Sequence, residues 1–247
     1  DLSKKPPEFA RLVYNIIEEI TGNEDPYKEI KKRDNEHAIS LLPEIKSIIK
    51  KSEDKLFTSI KIAIAGNIMD FAANSDYDLK KTIEKVLESD FAINDYEKFK
   101  EGIKKATSIA YLADNAGEIV FDKLLIEKIR ELNNCKIYLF VKGKPIVNDA
   151  TEIDTKIIGI NNFDNIEIKK INTGFPNTGM KKESKEFISF IKQMDLVISK
   201  GQGNYESLSE VNANIYFLLI AKCHVIARDL GVKKGSIILK SNKHGGR

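Results

Sequence analysis

Three short segments hold most of the residue types able to do chemistry. The first reads Tyr111-Leu112-Ala113-Asp114-Asn115-Ala116-Gly117-Glu118, a carboxylate and an amide side by side ahead of a helical pattern. The second, Lys142-Gly143-Lys144-Pro145-Ile146-Val147-Asn148-Asp149-Ala150-Thr151, again closes on an amide and a carboxylate. The third, Ser199-Lys200-Gly201-Gln202-Gly203-Asn204-Tyr205-Glu206, offers a lysine, two glycines and a fresh helix start. Charge, close backbone approach and unpaired N–H groups are what a phosphate requires. Each segment also has an ordinary reading. Asp114, Asn115 or Asp149 can cap a helix, and a Gly-rich turn can carry a solvated lysine. The third segment lacks the spacing of a P-loop or of a GxGxxG dinucleotide turn.

Around these segments, β-rich runs occur at 108–113, 136–141, 166–171, 196–199, 224–227 and 237–239. Helical patterns separate several of them: Ile119, Leu124, Leu125, Ile129 and Leu132 form one stripe, Phe187, Ile188, Phe190 and Ile191 another, and a third helix is expected from about Tyr205 to Leu219. The N-terminal third reads as helical throughout. Phe9, Leu12, Val13, Ile16, Ile17 and Ile20 recur at helical spacing, as do Phe57, Ile60, Ile64, Ile68 and Phe71, and two further patterns cover 79–87 and 96–106. Strands alternating with helices imply an α/β fold: a Rossmann-like, mostly parallel sheet with helices on both faces over 106–247, and a helical N-terminal region over 1–105.

In such a sheet the ligand site lies outside the carboxyl ends of the strands, so the three loops are expected to share one edge. Their donors are hard oxygens with no thiolate or imidazole nearby in sequence, which suits Mg²⁺ or Mn²⁺. A metal beside a lysine points to phosphoryl chemistry. The ion would polarise the phosphoryl oxygen and lower the pKa of bound water, while Lys200 offsets charge on the equatorial oxygens.

Composition narrows the class. Forty Lys plus Arg against 37 Asp plus Glu, interspersed, give a net charge of +3 and no electrostatic footprint for nucleic acid. The longest uncharged stretch, Val211 to Ala221, falls far short of the ~20 residues that span a bilayer, so a soluble, cytoplasmic protein is expected. Cys135 and Cys223 sit in apolar runs without CxxC or Cys/His spacing and read as buried thiols. His37, His224 and His244 are scattered, and none is assigned to catalysis.

Together with Ala65-Gly66-Asn67-Ile68-Met69-Asp70-Phe71 in the helical region, the three segments resemble, in order and over nearly the whole chain, the DUF89 or damage-control phosphatase family and its archaeal branch. The resemblance implies a helical region packed on a Rossmann-like core. It also implies metal-dependent hydrolysis of small phosphate monoesters, including sugar phosphates and damaged or side-product phosphometabolites. Asp114, Asn115 and Asp149 would bind the metal, Mn²⁺ or Mg²⁺, with Co²⁺ or Ni²⁺ as further candidates. Lys200 would hold phosphate with Gly201, Asn204 and Glu118, and Asn67 and Asp70 would complete the pocket. Asp114, Asp149 and Lys200 form the expected catalytic set. The archaeal branch often carries an early CxxC that this sequence lacks; the chain opens at Asp1 rather than Met, and whether a CxxC segment precedes residue 1 is left open. Family members have also been discussed as carboxyl methyltransferases. An S-adenosylmethionine-dependent methyltransferase is therefore one alternative, though the Asp114 turn holds only Gly117. A non-catalytic ligand-binding protein, whose polar loops need not converge, is the other. Substrate identity and oligomeric state are open at this stage, with specificity expected from the helical region and the loop around 173–182.

Overall fold

The computed structural model describes residues 6–67, 79–171 and 182–242. Asp70, and with it Ile68, Phe71 and nearly all of the 173–182 loop, lies outside the described residues. In chain order the elements are α1 (Pro6–Thr21), α2 (Lys28–Lys51), α3 (Lys55–Gly66), α4 (Leu79–Glu88), β1 (Phe91–Asn94), α5 (Tyr96–Lys105), β2 (Ser108–Leu112), α6 (Glu118–Leu132), β3 (Lys136–Lys142), α7 (Glu152–Ile157), β4 (Ile166–Ile171), α8 (Lys182–Lys192), β5 (Leu196–Lys200), α9 (Gln202–Leu208), β6 (Ile215–Ile220), α10 (His224–Leu230) and β7 (Ile237–Ser241).

The strands form one sheet in the order β1-β7-β6-β5-β2-β3-β4. Every pairing is parallel except that of β6 with β7. The chain runs outward from β2 through β3 to β4, then returns to lay β5 on the other side of β2 and continues to β6. Strand order therefore reverses between β2 and β5, and a crevice outside their carboxyl ends follows.

Alternation along the strands builds two apolar layers. Ile109, Tyr111, Ile137, Leu139, Leu196, Ile198 and Leu218 face one cluster with residues of α2 to α6, while Ala110, Leu112, Phe140, Val197, Phe217 and Leu219 face the other with α8, α9 and α10. Each fully buried Ile, Leu or Phe side chain contributes ~1.5–3 kcal/mol. The first cluster draws on both sides of residue 105, so the helical region and the sheet share one core. Its tightest joint is between α3 and α6. A Cβ at Gly66 would lie 2.8 Å from Phe121 Cδ2 and 3.4 Å from Glu118 Cα, so only glycine lets the end of α3 come this close to α6.

Four sequence expectations change. Residues 215–220, placed in a helix from Tyr205, form β6, buried at all six positions; α9 ends at Leu208. A short apolar run buried on both faces carries no period to separate strand from helix. Residues 224–227 are not a strand but open α10, where Cys223 Sγ accepts from Ile226 N–H at 3.5 Å. The N-terminal third is not helical throughout, because β1 joins the sheet beside β7. Finally, Val13, Ile16 and Ile20 of the α1 stripe are exposed, whereas Tyr14 is buried.

Candidate active site

The loops leaving β2 and β3 are zipped together by backbone hydrogen bonds. Ala116 N–H donates to Asn148 O at 2.8 Å and Ala150 N–H to Asp114 O at 2.9 Å, and Asn115 pairs with Asp149 in an antiparallel bridge. Residues opposite each other in such a bridge hold their side chains as neighbours. Asp114, Asn115 and Asp149 are thereby brought together, although 34 positions separate Asn115 from Asp149 in the chain.

Capping does not account for these side chains. Helix α7 is capped by Thr151, whose N–H and hydroxyl both donate to Asp154 Oδ2 at 2.7 and 2.8 Å, so Asp149 is not its cap. Helix α6 starts from Gly117 at φ 73°, with no side-chain cap. The Gly117 N–H instead donates to Asn35 Oδ1 of α2 at 2.7 Å, and Asn35 Nδ2 donates to Asp154 Oδ1 at 2.7 Å. Helix α2 therefore holds both loops from behind. Between them Val147 has φ 46°, a left-handed conformation that a β-branched side chain rarely adopts and that costs on the order of 1–3 kcal/mol. Such strain is typical of loops whose geometry is set by function.

Beneath the loops lies a buried polar layer. Lys200, at the end of β5, is fully buried and donates to Glu118 Oε1 at 2.5 Å, Asp122 Oδ1 at 2.6 Å and Ala63 O at 2.9 Å. An ammonium has three donors, and all three are engaged. That differs from the expectation of a lysine presented to phosphate: two carboxylates on α6 and a carbonyl in the last turn of α3 hold it inside the protein. Glu118, also fully buried, accepts Asn67 Nδ2 and Asn115 Nδ2 at its other oxygen, each at 3.0 Å. The same two amides donate to Asp114 Oδ2, at 2.8 and 3.0 Å. Asp122 Oδ1 also accepts from Tyr111 O–H at 2.7 Å.

Gly201 completes the joint between the layers. At φ 80° and ψ 164° its backbone suits glycine alone, and a Cβ there would stand 1.9 Å from Asp114 Oδ2 and 3.0 Å from Asn67 Nδ2. Asn204 is buried and turned to the backbone, its Nδ2 donating to Lys200 O at 2.8 Å.

Burial governs the electrostatics at the mouth. Burial, then the neighbouring charges of Glu118 and Asp149, push the Asp114 carboxyl up to about 8, against the opposing pull of Lys222 and Lys142. Burial also raises the Asp149 carboxyl, although Lys142 Nζ lies 3.6 Å from its Oδ2. Lys200 moves the other way. Burial alone would lower it, but Asp122 and Glu118 outweigh burial and hold its ammonium well above the usual range. Among the described residues no three His, Cys, Asp or Glu side chains converge as a ligand set. An ion at the zipped loops would therefore have to combine amide oxygens with the carboxylates of Asp114 and Asp149. The donors fit a hard divalent cation, which would favour the ionised form of Asp114 that burial disfavours.

Sequence reasoning named Asp114, Asn115, Asp149, Asn67, Glu118, Lys200, Gly201 and Asn204, and all lie in these two layers. It missed the roles of Asn35, Asp122 and Lys222. Lys222 follows β6, anchored by its N–H donating to Gln202 Oε1 at 3.2 Å, and reading β6 as helix hid that strand end. Asn35 and Asp122 sit within helices and show no strand-end signal.

Residues 1–238 match the model of the damage-control phosphatase ARMT1-like domain. The chain is 39% identical over 242 residues to damage-control phosphatase PH1575 of Pyrococcus horikoshii, covering 96% of this chain and 82% of that one. It is 35% identical to a damage-control phosphatase of Archaeoglobus fulgidus, covering 94% and 81%. In shape it is similar to the crystal structure of the DUF89 family protein PH1575, with a TM-score of 0.79 over 94% of this chain and 80% of that chain.

Proposed function

We propose a phosphatase that works with a divalent cation on small phosphate monoesters, and the premise is that the chain belongs to the damage-control phosphatase ARMT1-like family. The observation that carries the metal is the pair of zipped loops at the switch point between β2 and β5. They bring two carboxylates and an amide together while Asp114 is held far above its ordinary range by burial and surrounding negative charge. Asp114, Asn115 and Asp149 would hold the ion. When bound, Mn²⁺ or Mg²⁺ would polarise a phosphoryl oxygen and offset charge that builds on it.

The chain's own residues do the rest. Lys142 and Lys222, whose charges already act on Asp114, supply positive potential for an incoming dianion. The zip fixes the spacing of the carboxylates, and Gly201 lets backbone approach Asp114 without a side chain in the way. Water adds to phosphorus as the ester P–O bond breaks, and the proton that water gives up balances the one the leaving oxygen takes to depart as an alcohol, leaving inorganic phosphate. Sugar phosphates and damaged or side-product phosphometabolites are the substrate class.

The test uses purified protein, p-nitrophenyl phosphate and a panel of sugar phosphates, with Mn²⁺, Co²⁺, Ni²⁺ or Mg²⁺ and then with excess EDTA. Turnover is expected only with metal, and Asp114→Ala should lose at least about 100-fold in kcat/KM, the scale at which removing a central electrostatic group acts. Undiminished turnover in EDTA, or full activity in that variant, would refute the metal-dependent reading.

A further inference from the structure

Asn67 ends α3, 47 positions before Asp114 in the chain, and it is fully buried. Its Nδ2 group is directed inward, donating to Glu118 Oε2 at 3.0 Å and to Asp114 Oδ2 at 2.8 Å. Its Oδ1 is buried and has no hydrogen-bond partner among the described residues. A buried amide oxygen without a donor costs about 1–3 kcal/mol, so a site that keeps one has a use for it. Asn115 stands in the same relation to both carboxylates, with its Nδ2 on Glu118 Oε2 and Asp114 Oδ2. Two carboxylate oxygens, Glu118 Oε2 and Asp114 Oδ2, thus set the sense of both amides. Both present N–H₂ to Glu118, which leaves only their carbonyl oxygens for anything beyond it.

The reason Glu118 can do this lies one layer deeper. Lys200 donates to Oε1, so Glu118 accepts at both oxygens and has no donor that would turn either amide around. Gly66 admits the contact between the end of α3 and Glu118, and Ala63 O in the same turn receives Lys200. The resemblance placed Asn67 in the substrate pocket, yet its free carbonyl oxygen is an acceptor, as a phosphate oxygen is, and the two repel. A cation, by contrast, takes amide oxygens readily.

We propose that Asn67 presents its carbonyl oxygen to the same cation as Asp114, Asn115 and Asp149, and that Glu118 and Lys200 are positioning residues which fix which end of each amide faces that ion. This rests on the metal reading above and adds an oxygen donor from α3, outside the strand-end loops. It also gives the buried Lys200 layer a part in metal affinity instead of in phosphate contact.

The experiment is Mn²⁺ binding to the EDTA-stripped protein, by titration calorimetry and by the loss of the free-ion electron paramagnetic resonance signal. Circular dichroism and metal-free melting check the fold of each variant. Asn67→Ala is expected to weaken Mn²⁺ binding by about 10–100-fold, the range seen when groups supporting a metal site are removed. Glu118→Gln keeps the volume but brings an N–H₂ of its own into the layer, beside those of Asn67 and Asn115. Lys200 repels that group, so it turns toward the two amides, removes one of their two acceptors and sets N–H₂ against N–H₂, and a loss of about the same size follows. If wild-type protein fails to bind Mn²⁺, the metal reading itself falls. If wild type binds while folded Asn67→Ala binds within about twofold of it, the metal reading stands and the Asn67 proposal is overturned. A change in substrate KM with unaltered Mn²⁺ affinity overturns it equally, because Oδ1 then serves a substrate hydroxyl. Glu118→Gln with unaltered affinity removes the positioning role.

Discussion

The site consists of two layers that treat charge in opposite ways. The inner layer of Lys200, Glu118, Asp122 and Tyr111 is fully enclosed, and its one ammonium meets two carboxylates with every ammonium donor engaged. The outer layer of Asp114, Asn115 and Asp149 is partly open, lies beside the strained Val147 and carries two carboxyls that burial pushes toward the protonated form against the pull of nearby lysines. A buried ammonium with every donor used is held rigidly, whereas carboxyls whose ionised form burial disfavours are the mark of a functional site. The first layer therefore fixes the second, whose buried carboxyls a bound cation would draw to their ionised form.

Breaking the inner layer should cost stability first. Lys200→Met leaves Glu118 and Asp122 buried without their counter-charge, and removing one partner of a buried ion pair typically costs about 3–5 kcal/mol. Urea denaturation at neutral pH should show the midpoint collapse, with a partial recovery on acidification as Asp122, already pushed up to about 6 by burial, takes a proton. A variant as stable as wild type would mean that the inner layer is not the scaffold.

Striking the joint separates the two layers. Gly201→Ala puts a Cβ where Asp114 Oδ2 now lies and asks a residue with a side chain to hold φ 80°. A strain of about 1–3 kcal/mol is expected. The larger effect should be functional, because Asp114 must move away from Asn115: at least about tenfold weaker Mn²⁺ binding, following the cost of disturbing groups that orient metal ligands. Calorimetry beside a thermal melt compares the two losses, and a stability loss with normal Mn²⁺ affinity would contradict the joint.

How much of this was legible in advance depends on the range of each interaction. The α/β architecture and most strands could be read because alternation and helical spacing are local. Asp114, Asn115, Asp149, Lys200 and Gly201 were found because strand ends in a parallel sheet carry function. What Lys200 does was not legible, since its partners Glu118 and Asp122 lie 82 and 78 positions away and meet it only after α6 packs on the sheet. Nor was Lys222, because Ile215–Ile220 is apolar on both faces and hides its own period. Choosing Thr151 over Asp149 as the cap of α7 needed the hydrogen bonds of Asp154.

Asp34 of α2 supplies the converse of Lys200, and the smallest of these effects. Like Asp122 it is a buried carboxylate, but both of its oxygens lack hydrogen-bond partners among the described residues, and the cation beside it, Arg33, is exposed and 3.8 Å away. Burial pushes its carboxyl up to about 6, with Arg33 pulling only weakly the other way. An acid raised in the folded state favours the protonated fold. Its charge therefore costs nothing below pH ~4, costs progressively more as pH rises through about 6, and levels off above that. The full shift corresponds to about 3 kcal/mol as an upper bound. A neutral amide at this position would escape that cost but would itself need hydrogen-bond partners, so Asp34→Asn should gain about 1 kcal/mol at pH 7.5 and nothing near pH 4. Denaturation curves across that range check the sign. A gain that grows with pH fits a buried charge that exposed Arg33 does not offset, whereas a loss at pH 7.5 would mean that Arg33 stabilises the ionised form of Asp34 as Lys200 does that of Asp122.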